Sequence, residues 1–285
     1  MNEHRKELFT RLVTAGVVAP FVVACFVNYY SLIGLVATVL LFATYEYTKF
    51  TLKNDGHQVL KLGIVAIVTI TSISYGLLLY KLYPLKDNFR MPELIFALSL
   101  ITSLTMIIVV VKDTTKAKRM MTNSIFSIFY IGLNLSFFYP IFINFGASIA
   151  LLNLTSVWVF DAGAYFFGLS FGKIRISPAY SPKKSLEGAI GGYLSVVFFM
   201  FIYEFFRQLF TTDAIVIKPS HFFLLAMVVA VFGTIGDIVE SAIKRYHDVK
   251  DSGNILPGHG GMLDRIDGLL FVTPMFYIFL VLLNT

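Results

Sequence analysis

An all-α fold that crosses a membrane many times is what this sequence predicts, and three observations carry the prediction. The chain is 57% hydrophobic and 14% charged, with a mean hydropathy of +0.77, whereas soluble domains carry about 25% charged residues. Its apolar residues collect into stretches near the roughly 20 residues that a helix needs to cross a bilayer. Its Lys and Arg residues fall unevenly between the stretches. Together these predict a polytopic integral membrane protein with about nine transmembrane helices.

Residues Met1 to Arg11 are charged and precede the first apolar run, 12–28, in the manner of a signal peptide. No small-residue cleavage site follows and further spans come behind, so the run is read as a retained first helix. The next expected spans are 31–47, 62–80 and 94–111. Pro140 is placed to bend the fifth, 124–143. Spans 147–168, 189–206, 222–242 and a short last one, 268–283, complete the set. Residues 1–120 are expected to form a group of N-terminal transmembrane helices. Residues 121–285 are expected to form a C-terminal catalytic region with both polar motif loops. The single cysteine, Cys25, excludes an intrachain disulfide and a cysteine metal cluster.

With a cytoplasmic N-terminus, all but Lys81, Lys86, Arg90, Arg207 and Lys218 of the 23 Lys and Arg residues fall on the cytoplasmic side. The net charge of +6 then reflects topology and anionic headgroups. The cations are spread over several short loops, which argues against nucleic acid as a partner. The two richest polar loops, 169–188 and 243–267, share the cytoplasmic side.

The second of these loops carries most of the chemistry. On the helix before it, Asp237, Glu240, Ser241 and Lys244 stand at helical spacing and share one face. Glu240 and Lys244 suit an ordinary i,i+4 ion pair, but Asp237 lies one turn deeper, where a carboxylate is costly and usually functional. Gly233 and Gly236 suit close helix packing. After the loop, Asp264 and Asp267 open the last span. The bland reading for either is a carboxylate complementing a helix N-terminus. The sharper reading brings Asp264 beside Asp237 to hold Mg²⁺, which takes one or two carboxylates plus substrate phosphates and water. Lys244, Arg245, Lys250 and Arg265 would then face phosphate. Gly258, Gly260 and Gly261 would let backbone approach an anion, and His259 would donate to it. A zinc site and a P-loop are disfavoured, since neither pattern is present.

The first loop follows Asn153 and Asp161, with Asp161 deep in its span. Lys183 and Lys184, after Pro182, are candidate phosphate ligands. Gly188, Gly191 and Gly192 suit tight helix packing or close approach of a ligand. Taken alone, this loop reads equally well as an ordinary positive-inside loop, and Asp161 as a structural carboxylate.

Both segments resemble one family. The run Ser241-x-Ile-Lys-Arg-x4-Lys250-Asp-x-Gly-x2-Leu-Pro-x-His259-Gly-Gly-Met-x-Asp264-Arg-Ile-Asp267 is similar to the signature of the phosphatidate cytidylyltransferase (CDP-diacylglycerol synthase) family. So are Trp158-x2-Asp161-x2-Ala-Tyr-x2-Gly168-x2-Phe-Gly-Lys173 and Ser181-Pro-Lys-Lys-Ser-x-Glu-Gly-x2-Gly-Gly192. Leu169 departs from the pattern, which has a basic residue there. The resemblance covers most of residues 158–267; the first 145 match only as hydrophobic spans.

It implies that CTP and phosphatidate give CDP-diacylglycerol and pyrophosphate, in phospholipid biosynthesis at the cytoplasmic face of a bacterial inner membrane. It also implies a paired-cation centre, Mg²⁺ with a monovalent ion such as K⁺, and a homodimer. Asp237 and Asp264 are the expected metal ligands, with Asp267 and Asp161 next. Asp237, Asp264, Lys244, Arg265 and Asp267 are the expected catalytic residues. Lys183, Lys184, Ser241, Arg245, Lys250, His259, Gly260, Gly261 and Asp161 are expected to bind substrate. The alternatives are a CTP-dependent polyisoprenol kinase, an ether-lipid cytidylyltransferase and, more distantly, an ion-coupled transporter.

Overall fold

In the computed structural model the chain is helical almost throughout, as the sequence predicts. Described are all residues except 1–2, 54–57, 83–100, 103, 106, 112, 211–216, 256, 259 and 285. The helices are α1 (Glu3–Ala24), α2 (Tyr29–Thr51), α3 (Gln58–Leu82), α4 (Thr114–Phe126), α5 (Phe138–Phe171), α6 (Leu186–Phe210), α7 (Pro219–Tyr246) and α8 (Leu263–Asn284). Between α4 and α5 the chain continues through a π-helical segment, Ser127–Leu133, and a helical turn, Asn134–Ser136. A hydrocarbon environment demands this economy, because every backbone N–H and C=O must be satisfied within the protein.

Among the described residues six helical stretches are long and apolar enough to cross a membrane. They do not map one-to-one onto the nine expected spans. Thr114–Phe171 counts as one stretch of 58 residues and runs through both 124–143 and 147–168. It changes direction at Gly146 (φ 89°, ψ 169°) rather than at Pro140. Only a residue without a Cβ adopts such a φ cheaply, so the glycine sets the break. Gly16–Val27 is a shorter apolar helix where 12–28 was expected. Residues 94–100 of span 94–111 lie outside the described residues.

The chain divides into two compact units. One comprises Met1–Tyr139 and Asp251–Arg265, the other Pro140–Lys250 and Ile266–Thr285. In the first, α2 packs along α3. Asn28 caps α2, accepting from the Tyr30 N–H at 2.8 Å. An aromatic cluster of Tyr29, Tyr75, Tyr80 and Tyr139 fills the space beside them. Two of its hydroxyls find partners across the helices: Tyr29 donates to the Gly76 carbonyl at 2.9 Å, and Tyr139 lies 3.1 Å from Ser72 Oγ. In lipid, helices associate through close packing and such hydrogen bonds, each worth about 0.6 kcal/mol on average.

In the second unit α6 packs along α7. Small residues bring α5 and α6 together: a Cβ on Gly188 would lie 2.8 Å from the Ala164 carbonyl oxygen and 3.2 Å from Gly168 Cα. Gly188, Gly191 and Gly192 therefore serve helix packing, one of the two roles expected of them. Asn153 and Thr273, both fully buried, join α5 to α8 through a 3.1 Å hydrogen bond. Arg207 and Glu204 pair through two 2.8 Å bonds near the end of α6, which satisfies a charge that is otherwise costly to bury.

Candidate active site

Each unit holds one constellation of the predicted residues. That of Pro140–Lys250 and Ile266–Thr285 is built around Lys184. The loop 169–188, expected only as a polar connection, contains a small antiparallel hairpin, β1 (Arg175–Ser177) and β2 (Ser181–Ser185). It is braced at its base. The Glu187 carboxylate accepts from the N–H groups of Lys173 (3.0 Å) and Ile174 (3.2 Å), and the Gly188 N–H donates to Ser185 Oγ at 3.2 Å. Strand alternation separates the two neighbouring lysines. Lys183 is exposed, while Lys184 is half-buried and its Nζ pairs with Asp237 on α7.

Asp237 takes its position from a close helix contact. A Cβ on Gly236 would collide with the Asp267 carbonyl and lie 3.0 Å from Gly268 Cα, so α7 and α8 touch backbone to backbone there. This sets the Asp237 and Asp267 segments side by side. One turn on, Glu240 is 1% exposed and pairs with Lys244 at 2.5 Å, the i,i+4 pair expected from the sequence. Asp161, expected deep in its span, is exposed on α5. Burial holds the Lys184 ammonium below the usual lysine range, while the negative charges of Asp267, Asp161 and Glu240 draw it back up and Lys244 pushes it down. The constellation thus sets Asp161, Asp237, Glu240 and Asp267 against Lys184 and Lys244. It carries more negative than positive charge and only hard oxygen donors. That donor set suits a hard cation, because two lysines do not balance four carboxylates. Among the described residues no three acidic, histidine or cysteine side chains converge as a ready-made metal cage. Mg²⁺ bound partly through substrate phosphate needs none.

The second constellation lies in the unit of Met1–Tyr139 and Asp251–Arg265. Here the carboxylate of Asp264, at the start of α8, accepts from the N–H of Ser252 (3.0 Å) and of Gly261 (2.9 Å). Gly258 (φ 75°) and Gly260 (φ 85°) adopt left-handed conformations that turn the loop back on itself. The loop is also held from α1, where the Thr14 hydroxyl donates to the Pro257 carbonyl at 3.1 Å. Glu46 on α2, which the sequence reading passed over, is 2% exposed and reaches this loop. Its Oε2 accepts from Ser252 Oγ and from the Leu263 N–H, each at 3.0 Å. A Cβ on Gly261 would lie 2.6 Å from that oxygen. The anion that Gly261 approaches is therefore a carboxylate of the protein. The signal for Glu46 was its position: one acidic residue inside the apolar stretch 31–47.

Ser241 is half-buried, while Arg245, Lys250 and Arg265 are exposed. Arg245 Nη1 also reaches the Val249 carbonyl at 3.4 Å. His259 lies outside the described residues. Asp237 and Asp264 belong to different units.

Comparison with known proteins gives these constellations a context. The model of the cytidylyltransferase family matches residues 9–283. A phosphatidate cytidylyltransferase of Thermotoga maritima is 46% identical over 275 residues, 95% of this chain and 96% of its own length. One from Bacillus subtilis is 34% identical over 238 residues, covering 80% of this chain and 84% of the relative. One from Staphylococcus epidermidis is 39% identical over 155 residues, 54% of this chain and 57% of the relative. The match runs through the N-terminal helices as well as the two motif loops. On a multi-pass helical membrane fold, with both motif loops inside the matched region, this chain belongs to the cytidylyltransferase family and is a nucleotidyltransferase.

Proposed function

We propose that the chain is a phosphatidate cytidylyltransferase, joining CTP and phosphatidate into CDP-diacylglycerol and releasing pyrophosphate. The observation that carries the reading is the 46% identity, over 95% of the chain, to a relative bearing that name. The charged constellation around Lys184 supports it. In the reaction a phosphate oxygen of the lipid attacks the α-phosphorus of CTP. The bond from that phosphorus to the bridging oxygen breaks, and pyrophosphate leaves with the electron pair. The lipid phosphate is already anionic, so no strong general base is required. The work of the site is alignment and charge neutralisation.

In this reading Lys184 exchanges its partner, giving up Asp237 to meet an incoming phosphate. Asp237 in one unit and Asp264 in the other are each proposed as ligands of Mg²⁺, with Asp161 and Asp267 as further oxygen donors around Lys184. When bound, the ion would neutralise phosphate charge and orient the reactants. A monovalent ion such as K⁺ accompanies it in this reading. Lys183, Arg245, Lys250, His259 and Arg265 attract CTP and the lipid headgroup. Ser241 and Gly260 complete the substrate-binding set. Lys244 stays with Glu240 and fixes the charge on that helix face. The basic loops support a site at the cytoplasmic face of a bacterial inner membrane, where a nucleotide from the cytosol would meet a lipid that stays in the bilayer. A homodimer is proposed with it.

The test is purified protein in detergent with α-labelled CTP, Mg²⁺ and phosphatidate. The expected product is a labelled CDP-lipid. Failure with every phosphatidate species, with phosphorylation of a polyprenol instead, overturns the reading.

A further inference from the structure

The reaction as proposed gives no task to Glu46, yet the loop that carries Asp264 hangs on it. Glu46 is buried on α2, and its Oε2 receives both the Ser252 hydroxyl and the Leu263 N–H at 3.0 Å. Ser252 is the hub of a chain of bonds. Its backbone N–H donates to Asp264 at 3.0 Å, while its Oγ accepts from the Asp264 N–H at 3.3 Å as it donates to Glu46. The glycines fit the same picture. A Cβ on Gly253 would collide with Glu46 Oε1, and one on Gly261 would strike both Glu46 Oε2 and Ser252 Oγ. Glu46 Oε1 is itself buried with no hydrogen-bond partner among the described residues. A carboxylate is expensive to bury inside an apolar helix and more so when half-satisfied. The cost is set against the fixing of one loop.

We propose that Glu46 is a positioning residue: acting through Ser252, it holds the Asp264 carboxylate in the orientation the transfer reaction uses. This rests on the reading of Asp264 as a residue of the reaction. It assigns to the N-terminal half of the chain a specific part in the chemistry. Partners that orient a metal-binding or catalytic carboxylate typically change activity roughly 10- to 100-fold when removed.

The test compares full-length Glu46→Ala, Glu46→Gln, Ser252→Ala and Asp264→Asn in the same detergent. Glu46→Ala is expected to lower kcat about 100-fold with KM for CTP within about 3-fold. Glu46→Gln keeps one oxygen to accept from Ser252 and Leu263, and should restore kcat to within about 5-fold of the parent. Ser252→Ala should lower kcat about 10-fold and add little to Glu46→Ala, because the two act in one chain. A readout apart from turnover is maleimide labelling of Asn254→Cys, an exposed loop position, with Cys25 replaced. Glu46→Ala should speed that labelling several-fold.

A folded Glu46→Ala protein with parental kcat and unchanged labelling overturns the inference, as does Glu46→Gln behaving like Glu46→Ala. If Glu46→Ala does not fold, Ser252→Ala decides, and parental activity there overturns it. Inactive Asp264→Asn beside active Glu46→Ala sinks the Glu46 role alone. Active Asp264→Asn overturns the role of Asp264 in the reaction and the Glu46 inference with it.

Discussion

The Lys184 constellation and the Glu46 loop use the same residue type in opposite ways. At Lys184 the carboxylate of Asp237 meets the ammonium of another side chain. In the loop, Glu46 and Asp264 meet backbone N–H groups that cannot leave without unfolding the turn. A carboxylate paired with a side-chain cation can change partner through a rotamer change alone. A carboxylate bound to backbone amides is held in one orientation. Charge alone therefore does not distinguish the two arrangements; the kind of partner does.

The contrast breaks most readily at Asp237. Asp237→Asn should reduce turnover on the order of 10³-fold while leaving membrane insertion intact, and chelation with EDTA should do the same until Mg²⁺ is restored. Near-normal turnover in either case would refute the proposed cation site at Asp237. Next come the two adjacent lysines. Lys184→Ala should lower kcat/KM roughly 10- to 100-fold, whereas exposed Lys183→Ala should cost less than about 3-fold. Equal losses would show that the strand does not sort them.

Gly236→Ala probes the contact that places Asp237. Its methyl would meet the Asp267 carbonyl, and overpacking of that kind costs typically 1–3 kcal/mol, seen as a lowered Tm with reduced activity. Asn28→Ala should have the smallest effect, about 1 kcal/mol of stability through loss of the α2 cap, with kcat unchanged. A kcat change there would mean that the fold and the site are not separable along α2.

Much of this was legible in the sequence because hydropathy registers long apolar helices directly. The face shared by Asp237, Glu240 and Lys244 followed from helical spacing, and the Glu240–Lys244 pair formed as that spacing requires. The break at Gly146 was not legible, since Pro140 gives the louder local signal and a glycine is silent until its φ is known. The hairpin 175–185 escaped because two strands this short, with mostly exposed polar residues, show no usable alternation. Glu46 escaped for another reason. It stands more than 200 residues from Ser252, and no periodicity links an acid in one helix to a glycine loop so far along the chain. Gly253 and Gly261 had a signal, but a glycine says only that something comes close, and here that something is Glu46.

The membership of residues Asp251–Arg265 in the unit of the first 139 residues has a practical consequence for dissecting the protein. A shortened chain that keeps every residue of the two signature segments but begins near position 120 would keep Ser252, Gly261 and Leu263 and lose Glu46 and Thr14. Its loop would have donors with no acceptor and glycine hollows with nothing to fill them. Supplying the missing helices as a separate polypeptide is then a form of chemical complementation, in which the added piece contributes an oxygen atom at a defined place as well as bulk in the membrane.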